Sequence, residues 1–388
     1  MKICVLLPDE PKDQQAGLRI RYLRMTAPLR ALGHDLALVP VQNLTRGTLG
    51  AHDVYLLSKC YDTRALVAMH ALQAAGKRVG ADFFDDYFSQ VDDTRFVRLR
   101  YWFRQVLERA DFALCSTPRM HELVAQEAPA APVHLMNDPA HDFDTARLRT
   151  ALASKLEKLR QSRLLTVLWF GIGDNPNFPV GLQDLAAFGN TVDRLRHRGF
   201  AVHLKILTNP RAMTAEGIAA LRRLATEWHL EAWSEAREAE LLAESLVAFL
   251  PVNAQNFSIA KSLNRAVTAL SAGTQVLSVG YPLYAPLDAF VYRDPMALLA
   301  DLADEAPRLR PETASGLAAK FTALADPAVE ADRLFKFLAG LPGSLRRRSV
   351  GPLTVIHGRD TLGTVHKLTQ RLGGLSVASP LTTPRLHY

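Results

Sequence analysis

The chain has 388 residues, with 46 Lys and Arg against 39 Asp and Glu and a formal net charge of +7. Hydrophobic residues make up 48% and charged residues 22%, ordinary values for a folded chain, and no apolar run reaches the length of a bilayer span. The length predicts two domains. The positive excess clusters at 19–30, 95–109 and 346–348, which fits anionic small substrates or an anionic membrane surface. Nucleic acid fits least: there is no zinc-finger spacing, RNA-binding aromatic signature or long basic block.

Met1 to Pro8 is too short and too soon followed by charge for a signal peptide, and reads as a first strand over residues 2–7. Gly17 precedes a basic helix from Leu18 to Leu32, capped by Gly33. Strands follow at 36–39 and 53–57, a helix at 64–75 and a strand at 78–81. Leu99, Trp102, Phe103, Val106 and Leu107 repeat at helical spacing. A strand at 112–115, a helix opened by Pro118 and a short strand at 133–136 complete a doubly wound α/β domain. Cys4, Cys60 and Cys115 lie in or beside apolar runs without paired spacing, and read as buried reduced thiols.

From Asp142 to Arg163 the sequence is charged and helix-forming without a strand, the candidate linker. The alternation restarts with a strand at 164–170, a helix at 180–197, a strand at 201–207, a helix at 214–228 and a strand at 246–250. Small polar residues from Asn256 then lead into a helix of about three turns that carries Ile259 through Leu270, ends at Gly273 and is followed by an apolar run at 276–279. These boundaries predict an N-terminal domain over 1–145, a linker over 146–163, a C-terminal domain over 164–342 and a tail over 343–388. The tail contains a strand-like 353–356 and a helix at 364–372, and packs back on the first domain or opens a further module.

Candidate functional residues gather at the predicted strand ends, where open α/β sheets bind ligands. Gly171 and Gly173, with Asn175, fit either a tight turn or close backbone approach to a phosphate or sugar. Lys261, Asn264, Arg265 and Thr268 share one helix face; they form a solvated outer face or an anion site at a helix start. Gly17 with Arg19, Arg21 and Arg24 makes the matching loop of the first domain, where Gly17 and Arg19 either join the donor site, with Arg19 reaching an anion across a cleft, or leave a surface arginine on a helix. Asp82, Asp85 and Asp86, interleaved with aromatics, offer a general base, acceptor-hydroxyl contacts or helix capping. Tyr281 and Tyr284 suit stacking on a base or sugar, or a proline turn with core tyrosines. No nucleophile elbow, His-Glu-x-x-His or P-loop is present, and no metal site is expected.

Several segments together resemble a GT-B glycosyltransferase of the family-4-like group: the early loop and basic helix through Asp35, Ala110 to Thr117, Leu168 to Gly171, and Ser271 to Val276. The resemblance covers most of residues 1–340. It implies an α/β fold of two Rossmann-like doubly wound domains facing across a cleft, acceptor on the first and nucleotide sugar on the second. Many such enzymes carry two spaced glutamates before the last segment; here Ala260 and Thr268 stand there. The chain instead resembles a Lys-Ser-x-Asn-Arg variant of bacterial polysaccharide-assembly transferases. In that variant Lys261 and Arg265 hold the donor diphosphate, and Ser262 and Asn264 bond phosphate or ribose.

The implied activity is transfer of a sugar to a glycan or lipid-linked acceptor in bacterial cell-surface polysaccharide synthesis. It needs no metal or cofactor and takes place in the cytoplasm, with peripheral association at the inner face of the membrane left open. The base would come from Asp82, Asp85 and Asp86. A nucleotide-sugar 2-epimerase and a non-catalytic GT-B-like scaffold are the alternatives.

Overall fold

The computed structural model describes residues 1–11, 15–129, 131–141, 143–197, 199–342 and 362–373. The chain divides into two compact units: unit 1 is Met1–Pro139 with the chain from Pro327 onward, and unit 2 is Ala140–Asp326. Each is built on one six-stranded, wholly parallel sheet.

In unit 1 the strands are β1 (Lys2–Leu7), β2 (Asp35–Pro40), β3 (Val54–Ser58), β4 (Arg78–Phe83), β5 (Phe112–Cys115) and β6 (Val133–Leu135). Their order is β2-β1-β3-β4-β5-β6. β1, β3 and β4 bury almost every residue, as parallel strands covered on both faces do. The helix Thr63–Ala74 is buried on most of its surface. The helix Leu362–Arg371 packs against it, with Val365 and Leu368 buried. Arg371 anchors this tail helix: its carbonyl accepts from Arg46 N at 3.0 Å and its Nη1 donates to Gln42 O at 2.7 Å.

The basic helix expected at 18–32 runs unbroken from Ala16 to Ala31, but it is not α-helical throughout. A π-helical stretch at Arg19–Leu23 joins the α-helix Arg24–Ala31. The wider turn brings Arg21 and Tyr22 together on the buried side.

Unit 2 contains β7 (Leu164–Gly171), β8 (Ala201–Thr208), β9 (Trp228–Ala232), β10 (Val247–Phe249), β11 (Gln275–Leu277) and β12 (Val291–Tyr292). Their order is β12-β11-β10-β7-β8-β9, the dinucleotide-fold arrangement. Along β7 the side chains alternate between two cores. Val167 and Trp169 join one, with Phe249 and Leu277; Leu168 and Phe170 join the other, with Leu250 and Leu270. β9 and β12 are strands that the sequence reading omits.

Two domain boundaries differ from expectation. The segment read as a linker is the helix Thr145–Ser162, which belongs to unit 2. Leu148, Leu152, Lys155 and Leu159 are buried along it at helical spacing. Unit 2 also ends earlier than residue 342. The helix Pro327–Gly340 returns to unit 1, where Ala331, Leu334 and Leu338 join the core of Ile3, Tyr22, Met25 and Leu29. The strand expected at 353–356 lies outside the described residues.

Candidate functional site

Unit 2 reverses its winding direction between β7 and β10. That opens a crevice at their C-terminal ends, where such sheets take ligands. The loops leaving the two strands are tied together. Asn253 Nδ2 donates to Asp184 Oδ1 at 2.5 Å and to Pro179 O at 3.4 Å. The rings of Phe178 and Phe257 stack with centroids 4.4 Å apart.

The helix expected to carry Ile259 through Leu270 is not one helix: a short helix Asn256–Ile259 stops, and a second runs over Asn264–Ser271. The apolar periodicity runs through the break, but the backbone does not. Ser262 is positioned to bond the amide of Asn264 rather than extend the helix. The break gives the second helix its own N-terminus, with first-turn amides that lack partners within the helix. Asn264 and Arg265 fall in this first turn, and Lys261 and Ser262 in the connecting turn before it. The Lys261 ammonium lies 3.8 Å from the Phe257 ring centroid, a cation–π distance.

Arg265 has the most distinctive surroundings. Its guanidinium carbon lies 5.3 Å from the Trp169 ring centroid and 5.6 Å from that of Phe170. It sits so close over Gly171 that a Cβ there would come within 3.3 Å of it. Its Nε and Nη2 are buried and make no hydrogen bond among the described residues. Burial pushes this guanidinium below its ordinary pKa, against attraction from Tyr284, Asp184 and Glu238. A buried cation with unmade donor bonds is costly to keep unless something binds it.

Gly171, Gly173 and Asn175 do not play one part. Gly171 lies against Arg265 with φ +149°. Gly173 donates its N–H to Asn209 Oδ1 at 2.9 Å and accepts from Leu182 N at 2.9 Å. A Cβ there would meet Thr208 Oγ1 at 2.3 Å. Gly173 is therefore a packing glycine, and its amide is not offered to a phosphate. The side-chain oxygen of Asn175 accepts from Asn177 N at 2.8 Å and Phe178 N at 3.2 Å, so it shapes the loop. Tyr284 is buried near Arg265, while Tyr281 is exposed.

Unit 1 has its own crevice between β1 and β3, again at a change of winding direction. Here the three candidate carboxylates separate. Asp82 is fully buried and gripped by Arg21, Nε to Oδ2 at 2.5 Å and Nη2 to Oδ1 at 2.6 Å. Tyr22 Oη donates to the same Oδ2 at 2.5 Å. Burial opposes the charge on Arg21; Asp82 and Asp138 overcome it and hold the guanidinium pKa above its ordinary value. Asp86 is also buried and accepts from Phe88 N, Ser89 N and Ser89 Oγ at 3.0, 2.9 and 2.5 Å. Both oxygens of each carboxylate are already committed. Asp82 and Asp86 are structural groups, not free bases.

Asp85 is different. It pairs with Lys59 Nζ at 2.9 Å, and Lys59 remains 42% exposed along its side chain. Lys59 directly follows β3 with φ +54°, a left-handed conformation uncommon outside glycine. Its ammonium also sits 4.4 Å from the Phe84 ring centroid. That ring packs so closely on Gly17 that a Cβ there would approach it to 3.1 Å. Nearby, the buried hydroxyl of Tyr61 makes no hydrogen bond among the described residues. Burial, then Asp85 and Tyr87, raises its pKa well above the ordinary tyrosine value. Gly17 belongs to this group; the half-buried Arg19 also lies in unit 1, while Lys261 and Arg265 lie in unit 2. Lys59 and Tyr61 escape the sequence reading. The one available signal is a lysine directly after an apolar strand.

No group of three or more His, Cys, Asp or Glu side chains among the described residues is arranged to hold a metal ion. No described helix is long and apolar enough to cross a membrane.

No protein-family model matches the chain, and no curated protein matches it. Solved structures do. Anabaena HepE in complex with UDP and glucose is 15% identical, with 88% of this chain and 100% of that one covered at a TM-score of 0.57. An E. coli trehalose-6-phosphate structure bound with UDP-2-fluoro glucose is 10% identical, with 88% and 100% covered at 0.57. A UDP-forming trehalose-phosphate synthase from Burkholderia xenovorans is 12% identical, with 86% and 80% covered at 0.52. At such identities the likeness is one of fold. The two six-stranded parallel sheets match those of GT-B structures, so the chain has the GT-B fold.

Proposed function

We propose that the protein is a glycosyltransferase that takes its sugar from a nucleoside diphosphate. The observation that carries this reading is Arg265: a half-buried side chain whose Nε and Nη2 are buried with unmade bonds, at the first turn of a helix, over a glycine at the sheet's switch point. That combination suits a diphosphate. As the sugar leaves, negative charge grows on the departing phosphate. Fixed donors in place before the reaction stabilise that charge without reorganising. Lys261, Arg265 and the first-turn amides would supply them, with Ser262 and Asn264 bonding phosphate or ribose. The solved structures of this fold that carry UDP or a UDP sugar agree with such a donor.

In unit 1 the acceptor reading narrows to Asp85, with Lys59 and Tyr61 beside it. Asp85 is the one of the three aspartates whose partner is a partly exposed lysine. A hydroxyl of a glycan or lipid-linked acceptor would displace that lysine to reach the carboxylate. Synthesis of bacterial cell-surface polysaccharide is the pathway we assign.

The test is thermal melting with UDP, GDP and dTDP. At a hundredfold excess over Kd a ligand of the folded state stabilises by about 2.7 kcal/mol. At least one nucleotide should raise the Tm, and Lys261→Ala with Arg265→Ala should remove the rise. The reading is wrong if no nucleotide shifts the wild-type transition. Binding without sugar transfer or donor hydrolysis would instead leave a scaffold that holds nucleotides.

A further inference from the structure

The glycine loop raises a physical question of its own. Arg265 lies against Gly171, yet it does not bond the Gly171 carbonyl. Glycine has wide backbone freedom, and an unmade bond at a buried donor is costly. Left to itself, the peptide after Gly171 should turn its oxygen to the guanidinium.

Two side chains at the end of β8 oppose that. Thr208 sits opposite Gly171 in the sheet register, and its Oγ1 donates to Gly171 O at 2.9 Å. Asn209 Oδ1 accepts from Gly173 N at 2.9 Å. Asn209 is itself fixed, its Nδ2 donating to Asp174 Oδ1 at 2.8 Å, and Arg211 Nε donates to Asp174 Oδ2 at 2.7 Å. The carbonyl at one end of the Gly171–Gly173 segment and the amide at the other are both held toward β8. Both bonds oppose a rotation of the segment that would serve Arg265.

We infer that Thr208 is a positioning residue: by taking the Gly171 carbonyl it denies Arg265 an internal acceptor and keeps the guanidinium available for a diphosphate. This rests on the reading of unit 2 as the diphosphate site. Thr208 is fully buried and touches no ligand on this account. It acts by removing a competitor.

The experiment compares wild type, Thr208→Val, Thr208→Ser and Arg265→Ala by calorimetric titration with UDP. In parallel, 15N NMR follows solvent exchange of the Arg265 Nε–H without ligand. Thr208→Val keeps the volume and removes the donor. It should weaken UDP about tenfold, the factor that corresponds to about 1.4 kcal/mol. Its Arg265 Nε–H should exchange more slowly than in wild type, because the freed carbonyl now accepts it. Thr208→Ser keeps the donor and should restore both readouts; Thr208→Ala serves if the valine variant does not fold. Wild-type affinity together with wild-type exchange in Thr208→Val overturns the inference. If wild type binds none of UDP, GDP and dTDP, the diphosphate reading fails. The exchange comparison then still decides whether Thr208 withholds the carbonyl.

Discussion

Replacing Asp82 with asparagine separates a structural carboxylate from a chemical one. The side chain is fully buried, and Arg21 and Tyr22 engage both of its oxygens. Asparagine keeps the shape and one acceptor but loses the charge, and it turns an amide toward Arg21 or Tyr22. Arg21 keeps Met136 O at 2.8 Å and Asp138 at 3.0 Å, so part of its bonding survives. Removing one partner of a buried pair costs about 3–5 kcal/mol, and the surviving bonds place Asp82→Asn toward the lower figure. At about 2–4 °C per kcal/mol for a unit of this size, the transition of unit 1 should fall by roughly 6–12 °C. Asp85→Asn is the control. Lys59 is 42% exposed but Asp85 only 10%, so the pair lies between an exposed one, worth about 1 kcal/mol or less, and a fully buried one at about 3–5 kcal/mol. Its Tm should fall less than that of Asp82→Asn, while sugar transfer falls steeply. Scanning calorimetry and a transfer assay on both variants decide the matter. A wild-type melt with lost turnover in Asp82→Asn would refute the division of roles.

Two further outcomes follow from other positions. Lys155 donates to Leu242 O, Ala272 O and Thr274 Oγ1 at 2.6, 2.8 and 2.9 Å, and burial pushes its pKa down to about 7 from 10.5. Between those values the unfolded chain binds more protons than the folded one, so stability rises with pH from about 7 towards 10.5. Urea melts at pH 7 and pH 9 should show that gain in wild type and its loss in Lys155→Met. An equal pH response in both proteins would mean that the three oxygens keep the ammonium charged. Gly80 lies in β4 under Phe112, whose ring a Cβ would meet at 2.3 Å. Gly80→Ala should cost about 1–3 kcal/mol by overpacking, and Phe112→Leu in the same chain should recover part of it in denaturant melts; a cost unchanged by the second substitution would argue against the clash.

Much of the scaffold was legible because parallel strands buried on both faces leave continuous apolar runs. β1, β7 and β10 are of that kind. β9 is not: Trp228–Ala232 is an edge strand, half-exposed along its length, and its sequence carries no such run. β12 has only two residues. The helix-forming stretch over Thr145–Ser162 was legible, but its place in unit 2 was hidden by its charge, since Lys155 occupies a core position that a leucine would have revealed. The break after Ile259 was invisible because the apolar spacing continues across it.

At the site, residue types were easier to find than their duties. Asp82, Asp85 and Asp86 look alike in sequence. Their fates are set by Arg21, Ser89 and Lys59, and two of these lie far away along the chain. The same holds for Gly173, whose amide is claimed by Asn209. Arg265 was found by its spacing, but its unmade bonds are a tertiary property that no spacing encodes.

The return of the chain to unit 1 at Pro327 bears on how the protein is made. The helix Pro327–Gly340 fills the core beneath Ile3, Tyr22, Met25 and Leu29. A ribosome delivers those early residues first and their covering helix only after all of unit 2 has been synthesised. Domains fold as units, early ones first where they can. Unit 2 is one uninterrupted segment and can close on itself as it emerges. Unit 1, although it begins earlier along the chain than unit 2, must wait with an apolar flank uncovered. The half of the protein that begins first is the half that finishes last.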